Sequence, residues 1–283
     1  SIELFNRALK INPNDEHCYN NLGNALYEFS KIDRAIVAYN KAISLKPNFS
    51  DAFNNLGNAY GKKKNFNEAI KNYKLAISNN FEKNKDKPYY NLANIYNKIG
   101  KTNESIIFYK KALSINPNSI DSLINLSVVL NKNREFDKAI DCCDKVLEID
   151  PFNTLAINNL GKYHQEIGND VTSYNFYKKS VDLNPGDLKS MWLLMNFFPI
   201  VYKKTEQIDF FNKNFENNLL KIETLTEKEK FKDKDKILNA LNSCTNFYLH
   251  YQGKNIINFQ KRYGNIVQKL AQISYPEYQK KKR

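Results

Sequence analysis

The sequence predicts an all-α solenoid built from repeated pairs of helices, and two periodic features indicate it. Prolines recur at a constant spacing from Pro13 to Pro47, and again along Pro117, Pro151 and Pro185. An asparagine followed by a leucine and a small residue recurs with nearly the same period, of about 34 residues. A unit of that length holds two helices and cannot bury its apolar face alone, so neighbouring copies must stack.

Five full repeats are predicted, over residues 16–49, 50–85, 86–119, 120–153 and 154–187. The first helix of each carries a core leucine followed by a small residue. The second helix carries an aromatic residue in every repeat except the fourth, where Cys143 replaces it. Two helices approach closely where side chains are small, and large neighbours fill the remaining space. The core leucines and the aromatic column are Leu22, Leu56, Leu92, Leu126 and Leu160, with Tyr39, Tyr73, Tyr109 and Tyr177.

These columns resemble those of tetratricopeptide repeats from Ser1 to about Gly186. The resemblance implies a right-handed superhelix in which the first helices line a concave groove. Residues 1–15 match only the second half of a repeat, through Phe5, Ala8 and Leu9. Because a repeat array needs its end covered, we expect the sequence to begin inside a repeat.

Residues 188–283 are predicted to form a divergent helical connector. Helices are expected over Leu188–Phe198, where Pro199 ends the pattern, and over Ile208–Leu225. One face of the second of these helices carries Phe211, Phe215, Leu219 and Ile222. Residues 226–235 are charged and can start a helix through Glu227, Ile237–Tyr251 is apolar and aromatic, and Ile256–Ile273 is amphipathic. A basic tail follows at residues 280–283.

Composition argues against several classes of function. The net charge is +13, but the lysines are scattered rather than clustered, so no nucleic-acid partner is expected. No apolar run is long enough to span a bilayer, so no membrane partner is expected. Four cysteines and three histidines lack the spacing of metal ligands, which favours free thiols in a reducing cytoplasm and no metal.

The candidate binding residues form an asparagine column, in which one asparagine directly precedes the core leucine of each repeat. An asparagine side chain offers two N–H donors and one acceptor on a short stem, so a row of them can bracket the amides of an extended peptide. Composition and hydrogen bonds between helices are the alternative explanations. Three further asparagines extend the row by one helical turn, but Val128 and Lys162 interrupt it. The column is Asn21, Asn55, Asn91, Asn125 and Asn159, and the extension is Asn24, Asn58 and Asn94.

A second resemblance covers about residues 188–278. Residues 245–255 and 260–265 are similar to a segment of O-linked N-acetylglucosamine transferases, including their Spindly-like and bacterial members. The resemblance implies that the chain is the acceptor-recognition part of a larger enzyme that uses a UDP-sugar, with an asparagine column that holds acceptor proteins. No glycine-rich phosphate loop is present, so we assign no catalytic residue and no cofactor to this chain. His250 is interpreted as a structural residue.

Two other interpretations are kept. The chain could be a plain scaffold for protein–protein interaction, or its groove could hold the carboxylate of a chaperone C-terminus. The second needs lysine where this sequence has Asn20, Asn54 and Tyr90. A further groove position carries both signs of charge, which argues against a strongly charged ligand. Its residues are Glu28, Lys62, Lys98, Lys132 and Glu166.

Overall fold

The computed structural model describes residues 2–79, 85–199, 205–228, 230–243 and 257–276. All regular structure within these ranges is α-helical, which confirms the predicted fold class. The helices are α1 (Ile2–Ile11), α2 (Glu16–Glu28), α3 (Ile32–Leu45), α4 (Ser50–Lys62), α5 (Phe66–Ser78), α6 (Lys87–Lys98), α7 (Thr102–Ile115), α8 (Ile120–Lys132), α9 (Phe136–Ile149), α10 (Thr154–Glu166), α11 (Asp170–Leu183), α12 (Leu188–Met195), α13 (Thr205–Glu227), α14 (Lys234–Leu241) and α15 (Ile257–Ser274). Of the helices described, none combines the length and the apolar character needed to cross a membrane.

The chain divides into two compact units, residues 1–145 and 146–283. In the first unit each helix packs against the next, and α2, α4, α6 and α8 also contact one another in order. These four are the first helices of the predicted repeats. Their mutual contact places equivalent residues of successive repeats side by side.

The two helices of a repeat pack closely because a glycine of the first lies under a tyrosine of the second. A Cβ atom added at Gly57 would lie 2.6 Å from Cε1 of Tyr73. At Gly161 the corresponding distance to Tyr177 is 2.7 Å. Both distances are shorter than van der Waals contact, so the small residue sets the separation of the helices.

The turn inside each repeat has a left-handed residue at the same position. Positive φ angles occur at Ser30 (58°), Lys64 (60°), Gly100 (78°), Arg134 (60°) and Gly168 (79°). A residue in this conformation ends a helix by turning its last carbonyl groups toward the following N–H groups. The turn is therefore a property of the backbone of the repeat, and only two of its five copies use glycine.

The second unit combines the helix pair α10–α11 with an apolar cluster around α12. Trp192, Phe198 and Phe215 are fully buried there. The predicted apolar face of α13 is confirmed, because all four of its named residues are buried: Phe211, Phe215, Leu219 and Ile222.

The predicted bounds of two connector helices are wrong. Helix α12 ends at Met195 rather than Phe198, because a residue before proline is disfavoured in the helical conformation. Helix α13 runs from Thr205 to Glu227 rather than from Ile208 to Leu225. Helix α14 begins at Lys234, where the side chain of Asp233 accepts from the N–H of Lys236 at 3.1 Å. It ends at Leu241, and residues 244–256, including Cys244 and His250, lie outside the described residues.

Candidate peptide-binding surface

The asparagine column lies on the first helices, beside the leucines that anchor them. Leu56, Leu92 and Leu126 are buried, and the asparagine that precedes each one lies at the edge of the core. Asn21 is exposed, whereas Asn55, Asn91 and Asn125 are half-buried. These four members belong to the first unit; Asn159, also half-buried, belongs to the second.

Two members of the column donate a hydrogen bond to an asparagine of the preceding repeat. The side-chain amide of Asn55 donates to Oδ1 of Asn20 at 3.0 Å. That of Asn91 donates to Oδ1 of Asn54, also at 3.0 Å. The predicted alternative, a hydrogen bond between helices, is therefore present in both cases, and it joins one first helix to the next.

Asn125 makes the same kind of link with different acceptors. Its amide donates to the hydroxyl of Tyr90 at 3.0 Å and to Oδ1 of Asn94 at 3.2 Å. Tyr90 stands in the third repeat where Asn20 and Asn54 stand in the first two. Sequence reasoning considered these three residues only as an unsuitable carboxylate clamp. Their shared position, directly before the column, was the signal for an acceptor that serves the next repeat.

The hydrogen bonds leave part of each side chain available. Asn55 and Asn91 each use one of two amide N–H groups, and their Oδ1 atoms accept no bond among the described residues. Asn125 uses its amide twice and keeps Oδ1. A side chain fixed in this way loses less entropy on binding than one that is free to rotate. The surface can therefore offer donors and acceptors in a fixed orientation.

The three asparagines that extend the column have a role inside their own repeats. Oδ1 of Asn24 accepts from the hydroxyl of Tyr39 at 2.9 Å, and Oδ1 of Asn58 accepts from Tyr73 at 2.7 Å. Asn94 accepts from the hydroxyl of Tyr109 in the same way. All three tyrosine rings are buried, and burial raises the pKa of each phenol. The asparagine satisfies a hydroxyl that would otherwise lose its hydrogen bond to water.

The three cysteines that the structure describes show no feature of a reactive site. Cys18, Cys142 and Cys143 are free and buried. Burial raises the pKa of Cys142 to about 11 and that of Cys143 to about 12, which disfavours the nucleophilic thiolate. Among the described residues, no group of histidine, cysteine and carboxylate side chains is arranged to hold a metal ion.

Stacked helix pairs with a repeated polar column define a helical-repeat protein. Family models described as TPR repeat and as tetratricopeptide repeat match it over residues 4–37, 23–64, 50–81, 87–119 and 108–141. Residues 4–81 and 87–141 therefore carry tetratricopeptide repeats. No curated protein matches the sequence.

Several solved structures share this fold. YrrB, "a TPR protein with an unusual peptide-binding site", is 24% identical with a TM-score of 0.55, over 65% of this chain and 94% of that one. PilF of Pseudomonas aeruginosa is 14% identical with a TM-score of 0.62, over 84% and 96%. A repeat-containing protein of Cytophaga hutchinsonii is 20% identical with a TM-score of 0.62, over 79% and 88%. At these identities the likeness concerns the fold.

Proposed function

We propose that the repeats of the first unit bind an extended segment of a partner protein across the asparagine column. The observation that carries the proposal is the set of hydrogen bonds that orient Asn55, Asn91 and Asn125. These bonds leave one N–H group of Asn55 and of Asn91 available, together with the Oδ1 atoms of all three side chains. Three successive repeats present this arrangement on helices that contact one another. The peptide-binding site named for YrrB is consistent with such a use of the fold.

The chemistry of the column favours the peptide backbone over particular side chains. An amide N–H of Asn55 or Asn91 can donate to a peptide carbonyl while its Oδ1 accepts from a peptide N–H. Each such bond contributes about 0.5–1.5 kcal/mol net. The binding energy is then distributed over several repeats, so one substitution weakens the interaction without abolishing it.

We will probe an array of 12-residue peptides of varied sequence with the labelled chain to identify ligands. Fluorescence anisotropy then measures the affinity of each ligand. The variant Asn55→Ala/Asn91→Ala/Asn125→Ala should bind them about tenfold or more weakly, because two or three backbone hydrogen bonds are lost. It will also lose stability, since each substitution removes a bond between repeats.

The matched control removes the same bonds from the acceptor side, with Asn20→Ala/Asn54→Ala/Tyr90→Phe. Circular dichroism sets a temperature at which both variants are folded. The control should lose less affinity than the column variant, because the three column side chains remain and lose only the bonds that orient them. Equal losses in the two variants, or an array without binders, would contradict the proposal. Exposed Asn21, which makes no bond to another repeat within the described residues, provides a further variant, Asn21→Ala, that should affect binding and leave stability unchanged.

A narrower form of the proposal is that this module selects acceptors for an enzyme related to O-linked N-acetylglucosamine transferases. Its support is the similarity of residues 245–255 and 260–265 to that family, with the cytoplasmic location that free cysteines favour. The stand-alone scaffold is the competing form. Coding sequence beyond residue 283 that alternates strands and helices would support the enzyme, and a stop codon would support the scaffold. Residues 1–283 alone, incubated with UDP-sugar and a bound peptide, should transfer no sugar.

A further inference from the structure

Three lysines occupy one position at the C-terminal ends of successive first helices. Lys62, Lys98 and Lys132 follow Asn55, Asn91 and Asn125 by seven residues each. Seven residues make two helical turns, so each lysine lies on the same face as its asparagine and about 10 Å further along the helix. All three lysines are exposed. We call them the lysine row.

Two members of the lysine row contact neutral groups rather than carboxylates. The ammonium of Lys62 lies 5.2 Å from the centroid of the Tyr27 ring in the preceding repeat. That of Lys132 donates to Oδ1 of Asn97 in its preceding repeat at 3.2 Å. Both contacts position the side chain and neither neutralises its charge.

Two neighbouring lysines of the same unit are paired with carboxylates. Lys63 pairs with Asp33 at 2.6 Å and Lys85 pairs with Asp51 at 2.7 Å. No carboxylate pairs with Lys62, Lys98 or Lys132 in the part of the chain that the structure describes. The row therefore carries three uncompensated positive charges beside the asparagine column.

At this helix position, a negatively charged residue occurs only in the first and fifth repeats. Glu28 holds the equivalent position in the first repeat. Glu166 holds it in the fifth, which belongs to the second unit, and it pairs with Lys162 at 3.7 Å. The mixed charge at this position argued against a strongly charged ligand. Over repeats two to four, however, the position carries only lysine.

We propose that the lysine row binds an acidic segment of the partner protein, with carboxylates spaced to meet one lysine per repeat. The proposal rests on peptide binding across the asparagine column and adds the charge of the ligand. Packed helices lie about 8–10 Å apart, so the lysines recur at about that interval. A polyproline II segment returns to the same face every three residues, or about 9 Å. Aspartate or glutamate at every third position would therefore match the row.

The binding test uses a 12-residue acetylated and amidated peptide with glutamate at every third position and proline and alanine between. A second peptide has glutamine in place of glutamate, and a third has its four glutamates adjacent. We expect the spaced acidic peptide to bind about tenfold more tightly than the glutamine peptide at low ionic strength. The difference should shrink in 1 M salt, where the screening length is about 3 Å. The adjacent glutamates should bind with intermediate affinity.

The variant Lys62→Gln/Lys98→Gln/Lys132→Gln should reduce affinity for the spaced acidic peptide to that of the glutamine peptide. The matched control, Lys41→Gln/Lys74→Gln/Lys110→Gln, removes the same charge from exposed positions of the second helices and should retain the preference. Equal losses in both variants would overturn the proposal by assigning the effect to net charge. Tighter binding of a 12-nucleotide single strand than of the spaced peptide would overturn it in favour of nucleic acid.

Failure of this inference and failure of the proposed function give different results. If the glutamine peptide binds as tightly as the acidic one and depends on the asparagine column, peptide binding stands and the acidic preference falls. If none of these peptides binds, and none in the array does, both proposals are overturned.

Discussion

The second and fourth repeats share one backbone arrangement but fill the space between their helices differently. In the second repeat the ring of Tyr73 lies over Gly57, and its hydroxyl donates to Asn58 at 2.7 Å. In the fourth repeat the aromatic residue is replaced by Cys143, which is also fully buried. Ser127 and Val128 then stand where the second repeat has glycine and asparagine.

The difference separates the two sets of asparagines. Asn58 is replaced by Val128 in the fourth repeat, where the tyrosine hydroxyl is absent, and by Lys162 in the fifth, where the hydroxyl of Tyr177 donates to Gln165 instead. Asn55 and its fourth-repeat equivalent Asn125 are both present, although their repeats have different cores. The asparagine column is present in both repeats whatever residue fills the aromatic position, and Asn125 also donates to Asn94 of the preceding repeat. The column is therefore the better candidate for binding.

The largest expected effect comes from converting the second repeat toward the fourth. Tyr73→Cys should lower the free energy of unfolding by about 3–5 kcal/mol, because it leaves a cavity the size of an aromatic ring. Gly57→Ser alone should cost about 1–3 kcal/mol through overlap with that ring. The double variant should cost at least about 1 kcal/mol less than the sum, because the serine occupies space that the ring has left.

Urea denaturation followed by circular dichroism measures all three changes. Gly61→Ser is the matched control, since a Cβ atom at Gly61 would meet nothing closer than Cδ1 of Ile95 at 3.4 Å. That substitution should be tolerated with little loss. Strict additivity of Gly57→Ser and Tyr73→Cys would contradict the coupling between the two positions.

A smaller effect is expected from the tyrosine hydroxyl alone. Tyr73→Phe should cost about 0.5–1.5 kcal/mol, the net contribution of a buried hydrogen bond. In an Asn58→Val background the same change should cost less or even stabilise, because the hydroxyl there has lost its acceptor. The same urea titrations test this, and an equal cost in both backgrounds would mean that Asn58 does not matter to the tyrosine. Tyr177→Phe should cost less, since its bond to Gln165 is 3.4 Å long.

The sequence was sufficient to predict the helix pairs and their core, because close helix packing requires small and large residues at fixed positions. The core leucines and the apolar face of α13 are buried as predicted. The sequence was less informative about the ends of α12 and α14. Those ends depend on where Pro199 disfavours the helix and where Asp233 caps it, and the periodicity of apolar residues contains neither signal.

The candidate site was predicted only in part. Position in the repeat located the asparagine column, but it did not reveal which amide groups are used between repeats. That depends on contacts between residues about one repeat apart, such as Asn55 with Asn20. The lysine row was missed because its five equivalent positions have mixed charge in the sequence. The structure shows that Glu166 is paired with Lys162, whereas no carboxylate pairs with the three lysines among the described residues.

The smallest predicted effect concerns a feature that the second and fourth repeats share despite their different cores, the left-handed turn at Lys64 and Arg134. Lys64→Gly should stabilise the protein by about 0.5–1 kcal/mol, because a Cβ atom is disfavoured at φ 60°. The greater conformational freedom of glycine in the unfolded chain offsets part of this gain. Lys64→Ala is the control: it removes the charge and keeps the Cβ atom, so it should change stability little. Gly100→Ala introduces the strain at the third repeat and should cost about 1 kcal/mol. If the alanine and glycine variants of Lys64 have the same melting temperature, backbone strain at this turn does not lower the stability of the protein.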